Sequence, residues 1–149
     1  MSTVQEEIGL RGAKTSAFGI DPHVGIAVDV THATDCPTVD KNQLGEIRLG
    51  GGPVVFRGPN MNPVVVENLL ATCESDDIPY QLAASGRAQP NDSNTIQVSR
   101  AGVAAGLVAV PNRYMHSAVE TISLQDIDRA ADLLAGFAVG LDQSSDFTP

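Results

Sequence analysis

Two segments of the sequence consist almost entirely of apolar residues, and they constrain the fold more than any other feature. They span residues 24–30 and 103–110. Runs of this length without polar alternation are typical of strands that are buried on both faces. Two further runs, at 54–56 and 78–84, are bounded or entered through glycine or proline and are also predicted to be strands.

Helix signals lie between and after these strands. Asn62 followed by Pro63 predicts a helix start, because Asn caps free amides and Pro at the first helical position loses no hydrogen bond. A short helix is expected to start at Asp92 or Ser93 and to end near Gly102. The last helix is predicted from a capping box, Ser123 with Asp126, and from apolar residues at helical spacing. These apolar residues are Leu124, Ile127, Ala131, Leu134, Ala138 and Leu141.

The alternation of strands and helices predicts an α/β layered sandwich, with a mixed, largely parallel sheet flanked by helices. We expect residues 1–141 to form one unit and residues 142–149 to fray as an acidic tail. Residues 31–45 are polar, contain Pro37 and show no period, so we expect a loop there.

Charge and composition exclude several classes of partner. The net charge of −9 would repel a phosphate backbone, so nucleic acid is not expected to bind. No apolar run approaches the roughly 20 residues of a membrane span, and no signal peptide is evident. Cys36 and Cys73 lack CxxC spacing and are expected to be reduced thiols. We therefore expect a cytoplasmic protein.

Glu6 and Glu7 are adjacent carboxylates just before Gly9 and Gly12. Side chains that follow one another in a strand point to opposite faces, so both can serve one site only where a strand ends and turns. One carboxylate would then bind a metal while the other transfers a proton. The dipeptide alone favours the alternative, a solvated acidic pair near the start of the chain.

Asp29 and His116 lie in or just after predicted strands. Asp29 falls within an apolar run, where an ionised carboxylate needs a cation, a donor or water. His116 follows the second long run, where α/β folds place ligands, and neutral imidazole is a common metal ligand. The alternatives are an Asp exposed at the end of its strand and a loop histidine hydrogen-bonded to a neighbour.

Five other polar residues are weaker candidates. His23 and His32 flank the first strand and are expected at the surface, and Asp35 and Asp40 are expected to be solvated in the loop. Asp92 is expected to cap the short helix that follows it. None of the five carries a functional assignment by itself.

Four motifs taken together resemble the TET-type glutamyl and leucyl aminopeptidases. In chain order they are TVQEEIGLRGA, GIAVDVTHATDCP, IPYQ and PNRYMHS, the last followed by Glu120. Members of this family are metallopeptidases with two co-catalytic metals and have often been labelled endoglucanases or cellulase M. The resemblance covers almost the whole chain.

The resemblance implies a role for each matching residue. Glu6 corresponds to the general base that accepts a proton from the attacking water. Glu7 and His116 correspond to ligands of one metal, and Asp29 to a ligand of the other. Two divalent ions, zinc or cobalt with manganese as a further option, suit carboxylate and imidazole ligands. The implied substrates are peptides, from which N-terminal residues are removed.

Two departures from the family pattern follow. The family uses a further His and a bridging Asp from a segment N-terminal to the Glu pair, so we expect this chain to be the C-terminal part of a catalytic domain, inactive or weakly active alone. Asp92 lies in Gln89 to Ser93, where the family has Gly-Gly-Thr-Asp-Ala, and is a candidate substrate-loop residue.

Three functional hypotheses remain open. The first is an aminopeptidase that is active as a homo-oligomer or with an N-terminal partner segment. The second is a non-catalytic fragment or subunit that needs such a segment for metal binding. The third, glycoside hydrolysis, needs a carboxylic-acid pair that flanks a sugar.

Overall fold

A computed structural model describes residues 1–37 and 39–148 and confirms the predicted fold class, an α/β arrangement with a mixed sheet flanked by helices. The helices are α1 (Arg11–Ile20), α2 (Lys41–Leu44), α3 (Pro63–Ser75), α4 (Asp92–Ile96) and α5 (Leu124–Gly140). The strands are β1 (Val24–His32), β2 (Val54–Arg57), β3 (Gln81–Ala84), β4 (Ala104–Arg113) and β5 (Thr121–Ile122).

The sheet has the strand order β1-β4-β2-β3, with β5 paired to β4. β1 and β4 run parallel over their full length, from Val24 opposite Ala104 to His32 opposite Asn112. β2 is parallel to β3 and antiparallel to β4. Because β1 and β4 are parallel, their carboxyl ends lie at the same end of the sheet.

Helices cover both faces of the sheet. Gly106 of β4 lies under α3, where an added Cβ would be 2.7 Å from a Val65 methyl group. Gly25 of β1 points to the opposite face, where an added Cβ would be 2.7 Å from a methyl group of Ile96 in α4. α5 packs beside α3 and α1 beside α4, so each face carries two helices. Leu69, Leu107 and Leu133 are fully buried in the core.

The start of α3 follows the prediction. The Asn62 side chain accepts a hydrogen bond from the Val65 amide at 3.1 Å, and Pro63 occupies the first helical turn. The strand prediction for residues 78–84 started too early, because β3 begins at Gln81. The α4 prediction extended too far, since the helix ends at Ile96 and turns follow it.

Two helices were not predicted. α1 begins after Leu10, which has left-handed backbone angles and no side-chain cap, so no capping residue marks its start. The single turn of α2 lies within the predicted loop and is capped by Asp40, whose side chain accepts from the Asn42 amide. Asp40 therefore has a local structural role.

The predicted capping box at the start of α5 is wrong. Ser123 makes no side-chain cap hydrogen bond. Asp126 is fully buried, and its carboxylate accepts hydrogen bonds from the Gly50 and Gly52 amides at 2.7 and 2.9 Å. The carboxylate thus joins α5 to the glycine loop before β2, which lies more than 70 positions away.

The extent of α5 was predicted correctly, but the face that it buries most deeply is offset from the apolar residues noted in the sequence. Ala130, Leu133 and Phe137 face the core. The predicted apolar stripe lies about a quarter turn away, and its first residue, Leu124, is 75% exposed. We call this set the outer stripe of α5; it comprises Leu124, Ile127, Ala131, Leu134 and Ala138.

The C-terminal tail contacts the rest of the chain. Phe147 packs against the core, and its carbonyl accepts a hydrogen bond from the Asn62 side chain at 2.8 Å. Asp142 accepts hydrogen bonds from Ser144 and Ser145. The bounds of the unit at 1–141 and the fraying of 142–149 stay predictions; Pro149 lies outside the described residues.

Within the described ranges, no helix combines the length and the apolar character that crossing a membrane requires.

Cys36 and Cys73 are both buried and are not joined in a disulfide. Burial raises the pKa of the Cys73 thiol to about 11, which keeps it protonated at neutral pH.

Candidate active site

Two of the three predicted metal ligands, Glu7 and His116, are in contact near the ends of β1 and β4. The Glu7 carboxylate lies 3.5 Å from Nε2 of His116, although more than 100 residues separate the two in sequence. Asp29 is near the end of β1, and its charge interacts with those of Glu7 and His116. Glu6 interacts electrostatically with Asp29, Glu7 and His116.

A turn, and not the end of a strand, presents the two glutamates. The backbone carbonyl of Glu6 accepts hydrogen bonds from the amides of Gly9 and Leu10 at 3.1 and 3.0 Å. Gly9 has a φ of +116°, which favours glycine. No strand precedes Glu6 in the described chain, but the turn that would let both carboxylates serve one site is present.

Gly12 lies inside α1 and has a different role from the one predicted. Its amide donates to the Val4 carbonyl at 2.9 Å. A Cβ at this position would lie 2.4 Å from that carbonyl oxygen, which is too close for any other residue. Gly12 therefore holds the segment before Glu6 against α1.

His116 lies on the loop after β4, and a hydrogen bond to its backbone amide fixes its position. It has a φ of +63°, and its amide donates to Oε1 of Glu120. Oε2 of Glu120 accepts from the side chain of Asn112, which is buried at the end of β4. Glu120 thus fixes the loop that carries His116, and these hydrogen bonds lower the pKa of its carboxyl.

The site is crowded with carboxylates. Burial is the main cause of the raised pKa of Glu6, and the charges of Asp29, Glu7 and Asp92 add to it. The pKa of Asp29 is also raised, chiefly by burial and then by Asp92 and Glu7, although the Val30 amide lowers it. A bound cation would offset the repulsion among these groups.

Asp92 belongs to this cluster and does not cap α4. The cap is Asn91, whose side chain accepts from the Ser93 amide at 3.2 Å. Oδ2 of Asp92 accepts from the Thr3 hydroxyl at 2.6 Å, and Oδ1 is buried without a hydrogen-bond partner. Thr3 opens the TVQEEIGLRGA motif, but only the fold brings its hydroxyl to Asp92.

Apart from Asp92, the weaker candidates lie outside the cluster. Asp35 was expected to be solvated, but it forms a bidentate pair with Arg113, with both N–O distances 2.7 Å, and accepts from the Leu49 amide. His23 directly precedes β1, at the opposite end of the strand from the cluster, and its backbone carbonyl accepts a hydrogen bond from the Ala104 amide. His32 is exposed at the end of β1.

The donor set fits part of a divalent-metal site. Among residues 1–37 and 39–148, no group of three or more His, Cys, Asp or Glu side chains is arranged to hold one ion. The pair of Glu7 and His116 supplies one carboxylate and one imidazole, a combination that suits zinc and similar cations. Asp29 lies apart from this pair as a single further carboxylate.

Comparison with known proteins decides the family. The model of the M42 glutamyl aminopeptidase family matches residues 1–133. The chain belongs to the M42 glutamyl aminopeptidase family. The family resemblance inferred from the four motifs is thereby confirmed.

Relatives of this M42 chain are considerably longer. It is 42% identical to a lysyl aminopeptidase of Pyrococcus furiosus over 151 aligned positions, which cover 100% of this chain and 42% of the relative. A solved TET aminopeptidase from a marine-sediment Thaumarchaeota archaeon is 33% identical to this chain, with a TM-score of 0.86. The match covers 95% of this chain and 40% of the solved chain. An aminopeptidase of Desulfurococcus kamchatkensis is 45% identical to this chain, with a TM-score of 0.80. The match covers 93% of this chain and 39% of the solved chain. The chain therefore spans about two fifths of these relatives.

Proposed function

We propose that this chain forms part of the active site of a metal-dependent aminopeptidase, which removes N-terminal residues from peptides. The observation that carries the proposal is the contact between Glu7 and His116 beside Glu6 and Asp29. These residues come from three separate parts of a chain that belongs to an aminopeptidase family.

Each residue has a distinct role in this proposal. Glu7 and His116 would hold one divalent ion and Asp29 a second, with zinc or cobalt preferred and manganese as a further option. The ions would supply Lewis-acid activation of water and of the peptide carbonyl. Glu6 accepts the proton of the attacking water, because it is a carboxylate beside the ligands that is not itself assigned to a metal.

The ligand count implies a further contributor. Catalytic zinc sites have about three protein ligands. We therefore propose that the remaining ligands come from a polypeptide segment outside residues 1–149, and that this chain alone is inactive or weakly active. The same count favours a second candidate, a non-catalytic fragment or subunit that becomes competent only with that segment.

We further propose that the active form is a homo-oligomer in the cytoplasm. The TET1 peptidase of Pyrococcus horikoshii, 27% identical to this chain with a TM-score of 0.69, assembles into a tetrahedron or a large octahedral shell. Asp92 is proposed as a substrate-loop residue because its charge acts on Glu6 and Asp29 and one of its carboxylate oxygens is buried without a hydrogen-bond partner.

Hydrolysis assays test the function directly. The chain is combined with a polypeptide that covers the part of the Pyrococcus furiosus relative which it does not span, and peptide nitroanilides are compared with cellulose-type substrates. We expect chelator-sensitive release of nitroaniline and no cleavage of the polysaccharide. Hydrolysis of the polysaccharide instead would refute the proposal.

Variants separate the base from the ligands. In the enzyme completed by the missing segment, Glu6→Gln should lower kcat by at least about 100-fold with metal content nearly unchanged, because it removes a proton acceptor. Glu7→Gln or His116→Ala should lower metal content, because each removes a direct ligand. Glu67→Gln, on the exposed side of α3, is the matched control and should change neither. Full metal content in the Glu7 and His116 variants would reject their ligand roles.

A further inference from the structure

A groove lies between α1 and the segment that runs from the end of α4 to Arg100. It has a volume of about 320 Å³, which is within the roughly 300–1,000 Å³ typical of small-molecule pockets. Its walls come from Lys14, Thr15 and Phe18 of α1 and from residues 95 and 98–100. None of these residues belongs to the candidate active site, so the groove is a separate feature of the fold.

The walls of the groove are mostly apolar, although the groove lies at the surface. Phe18 and Val98 both line it and are 57% and 70% exposed. The guanidinium carbon of Arg100 lies 4.1 Å from the centroid of the Phe18 ring, so a cation is stacked on this ring. Exposed apolar side chains that line a concave surface favour the binding of an apolar group.

Two cationic side chains, Lys14 and Arg100, also line the groove, and no described Asp or Glu lines it. Arg100 donates from Nε to the Phe18 carbonyl at 2.6 Å, and the same atom lies 3.5 Å from the Asp21 carboxylate. Its side chain makes no second hydrogen bond to the described residues, and the Lys14 ammonium makes neither a hydrogen bond nor an ion pair with them. On a chain with a net charge of −9, these unused donors form a local site that favours an anion.

Ser99 supplies a third polar group in the wall of the groove. The residue is 8% exposed, and its hydroxyl is buried without a hydrogen-bond partner among the described residues. A buried polar atom without a partner costs free energy, which a hydrogen bond to a ligand would recover. Because a serine hydroxyl moves between staggered positions by rotation about χ1, it can turn toward a ligand in the groove.

We propose that this α1–α4 groove binds a small carboxylate that carries an apolar body. The carboxylate accepts hydrogen bonds from the Ser99 hydroxyl, the Lys14 ammonium and the guanidinium of Arg100, while the apolar body packs beside Phe18 and Val98. Two sources supply this chemistry, a free aromatic acid and the C-terminal residue of a peptide. The site goes beyond the proposed function and does not depend on it.

Titration of the nitrogen-15-labelled chain, followed by NMR, tests the site. Hydrocinnamate should shift the amide signals of Phe18, Val98, Ser99 and Arg100 in a saturable way, with a Kd of about 5 mM or lower. Hydrocinnamyl alcohol has the same apolar body without the charge, and acetate has the charge without the body. Each should bind at least about tenfold more weakly than hydrocinnamate.

A peptide separates the two sources of the carboxylate. Acetyl-alanyl-phenylalanine is titrated with a free C-terminus and as the C-terminal amide. If the free acid of the peptide binds as tightly as hydrocinnamate and the amide does not bind, the groove holds the C-terminal residue of a peptide. If both forms of the peptide bind at least about tenfold more weakly than hydrocinnamate, the groove selects a free aromatic acid.

Variants locate the binding groups. Lys14→Gln and Ser99→Ala should each weaken hydrocinnamate binding by at least about threefold, because each removes one hydrogen bond to a charged group. Ser99→Ala should not lower Tm, because it removes a hydroxyl that has no partner. Lys41→Gln, an exposed lysine of α2, is the matched control and should leave the affinity unchanged.

A second pair of variants tests the apolar wall. Val98→Asp should abolish binding, because it puts a negative charge beside the carboxylate. Its control is Val139→Asp, which changes a valine of α5 that is 85% exposed and should bind as the unmodified chain does.

Three results would overturn the proposal. The first is the absence of saturable binding at about ten times the expected Kd. The second is equal binding of hydrocinnamate and its alcohol, which would reject the carboxylate. The third is an affinity that Lys14→Gln, Ser99→Ala and Val98→Asp leave unchanged, which would place the binding outside the groove.

Discussion

Replacing Asp126 with Ala should destabilise the chain more than any surface change. The Asp126 side chain is fully buried, accepts two backbone hydrogen bonds from the glycine loop, and lies 3.7 Å from Arg129. Its loss leaves the Gly50 and Gly52 amides without their acceptor. An unsatisfied buried group costs about 1–3 kcal/mol, and loss of one buried charged partner costs about 3–5 kcal/mol.

The size of the effect follows from the length of the chain. At about 2.1 cal/mol/K per residue, the entropy of unfolding of 149 residues is about 0.3 kcal/mol/K near the melting temperature. A loss of about 3–5 kcal/mol then lowers Tm by about 10–15 °C. The loop cannot easily move to compensate, because an added Cβ at Gly52 would already be 1.8 Å from the Pro79 carbonyl.

Thermal unfolding followed by circular dichroism measures this effect. Asp132→Ala is the matched control, since Asp132 is exposed on the same helix and the substitution makes the same change in helix propensity. Hydrogen exchange at Gly50 and Gly52 should accelerate only in the Asp126 variant. A fall in Tm no larger than that of the control would refute the reasoning.

Three further changes test other contacts. Arg113 lowers the pKa of Asp35 by hydrogen bonding, so the stability from this pair is present above the unfolded pKa of about 3.9 and is lost as pH falls through the folded value. Urea unfolding at several pH values should therefore show a deficit of about 0.5–1 kcal/mol in Arg113→Met at pH 7 that shrinks in acid. Gly12→Ala should cost about 1–3 kcal/mol, measured by thermal melts, because its Cβ overlaps a backbone oxygen. Asn62→Ala should cost about 1–2 kcal/mol in urea unfolding and speed proteolysis of the tail, because the side chain both caps α3 and holds the tail.

Each of these changes has a control in the chain. Arg87→Met changes an exposed arginine and should leave the pH profile unaltered. Gly19→Ala, also in α1, meets no atom within 4 Å and should stabilise the helix. Asn68→Ala is exposed within α3 and should leave the tail as resistant to protease as before. Equal effects in a variant and its control would contradict the corresponding assignment.

The sequence by itself determined the elements whose signals are local. The apolar runs at 24–30 and 103–110 became β1 and β4. The expected burial on both faces holds for β4 but is wrong for β1, which lies at the edge of the described sheet and exposes Val28 and Val30. α3 started where Asn62 and Pro63 predicted, because capping depends only on neighbouring residues. The candidate site residues were predicted from four ordered motifs, each of which is a short continuous segment of the sequence.

Tertiary structure decided whatever depends on residues that are distant in the chain. α1 has no side-chain cap at Leu10, and its position follows from the contact of Gly12 with the segment before Glu6. The buried face of α5 includes Asp126, because amides from the glycine loop reach it across the fold, and no helical periodicity reports this. The parallel pairing of β1 and β4 brings Asp29 and the loop that carries His116 to the same end of the sheet. Glu7 lies on the turn before α1, and only the packing of that turn within the fold places it 3.5 Å from His116. Pairing of strands depends on contacts between residues that are distant in the sequence, so no single segment predicts which strands pair.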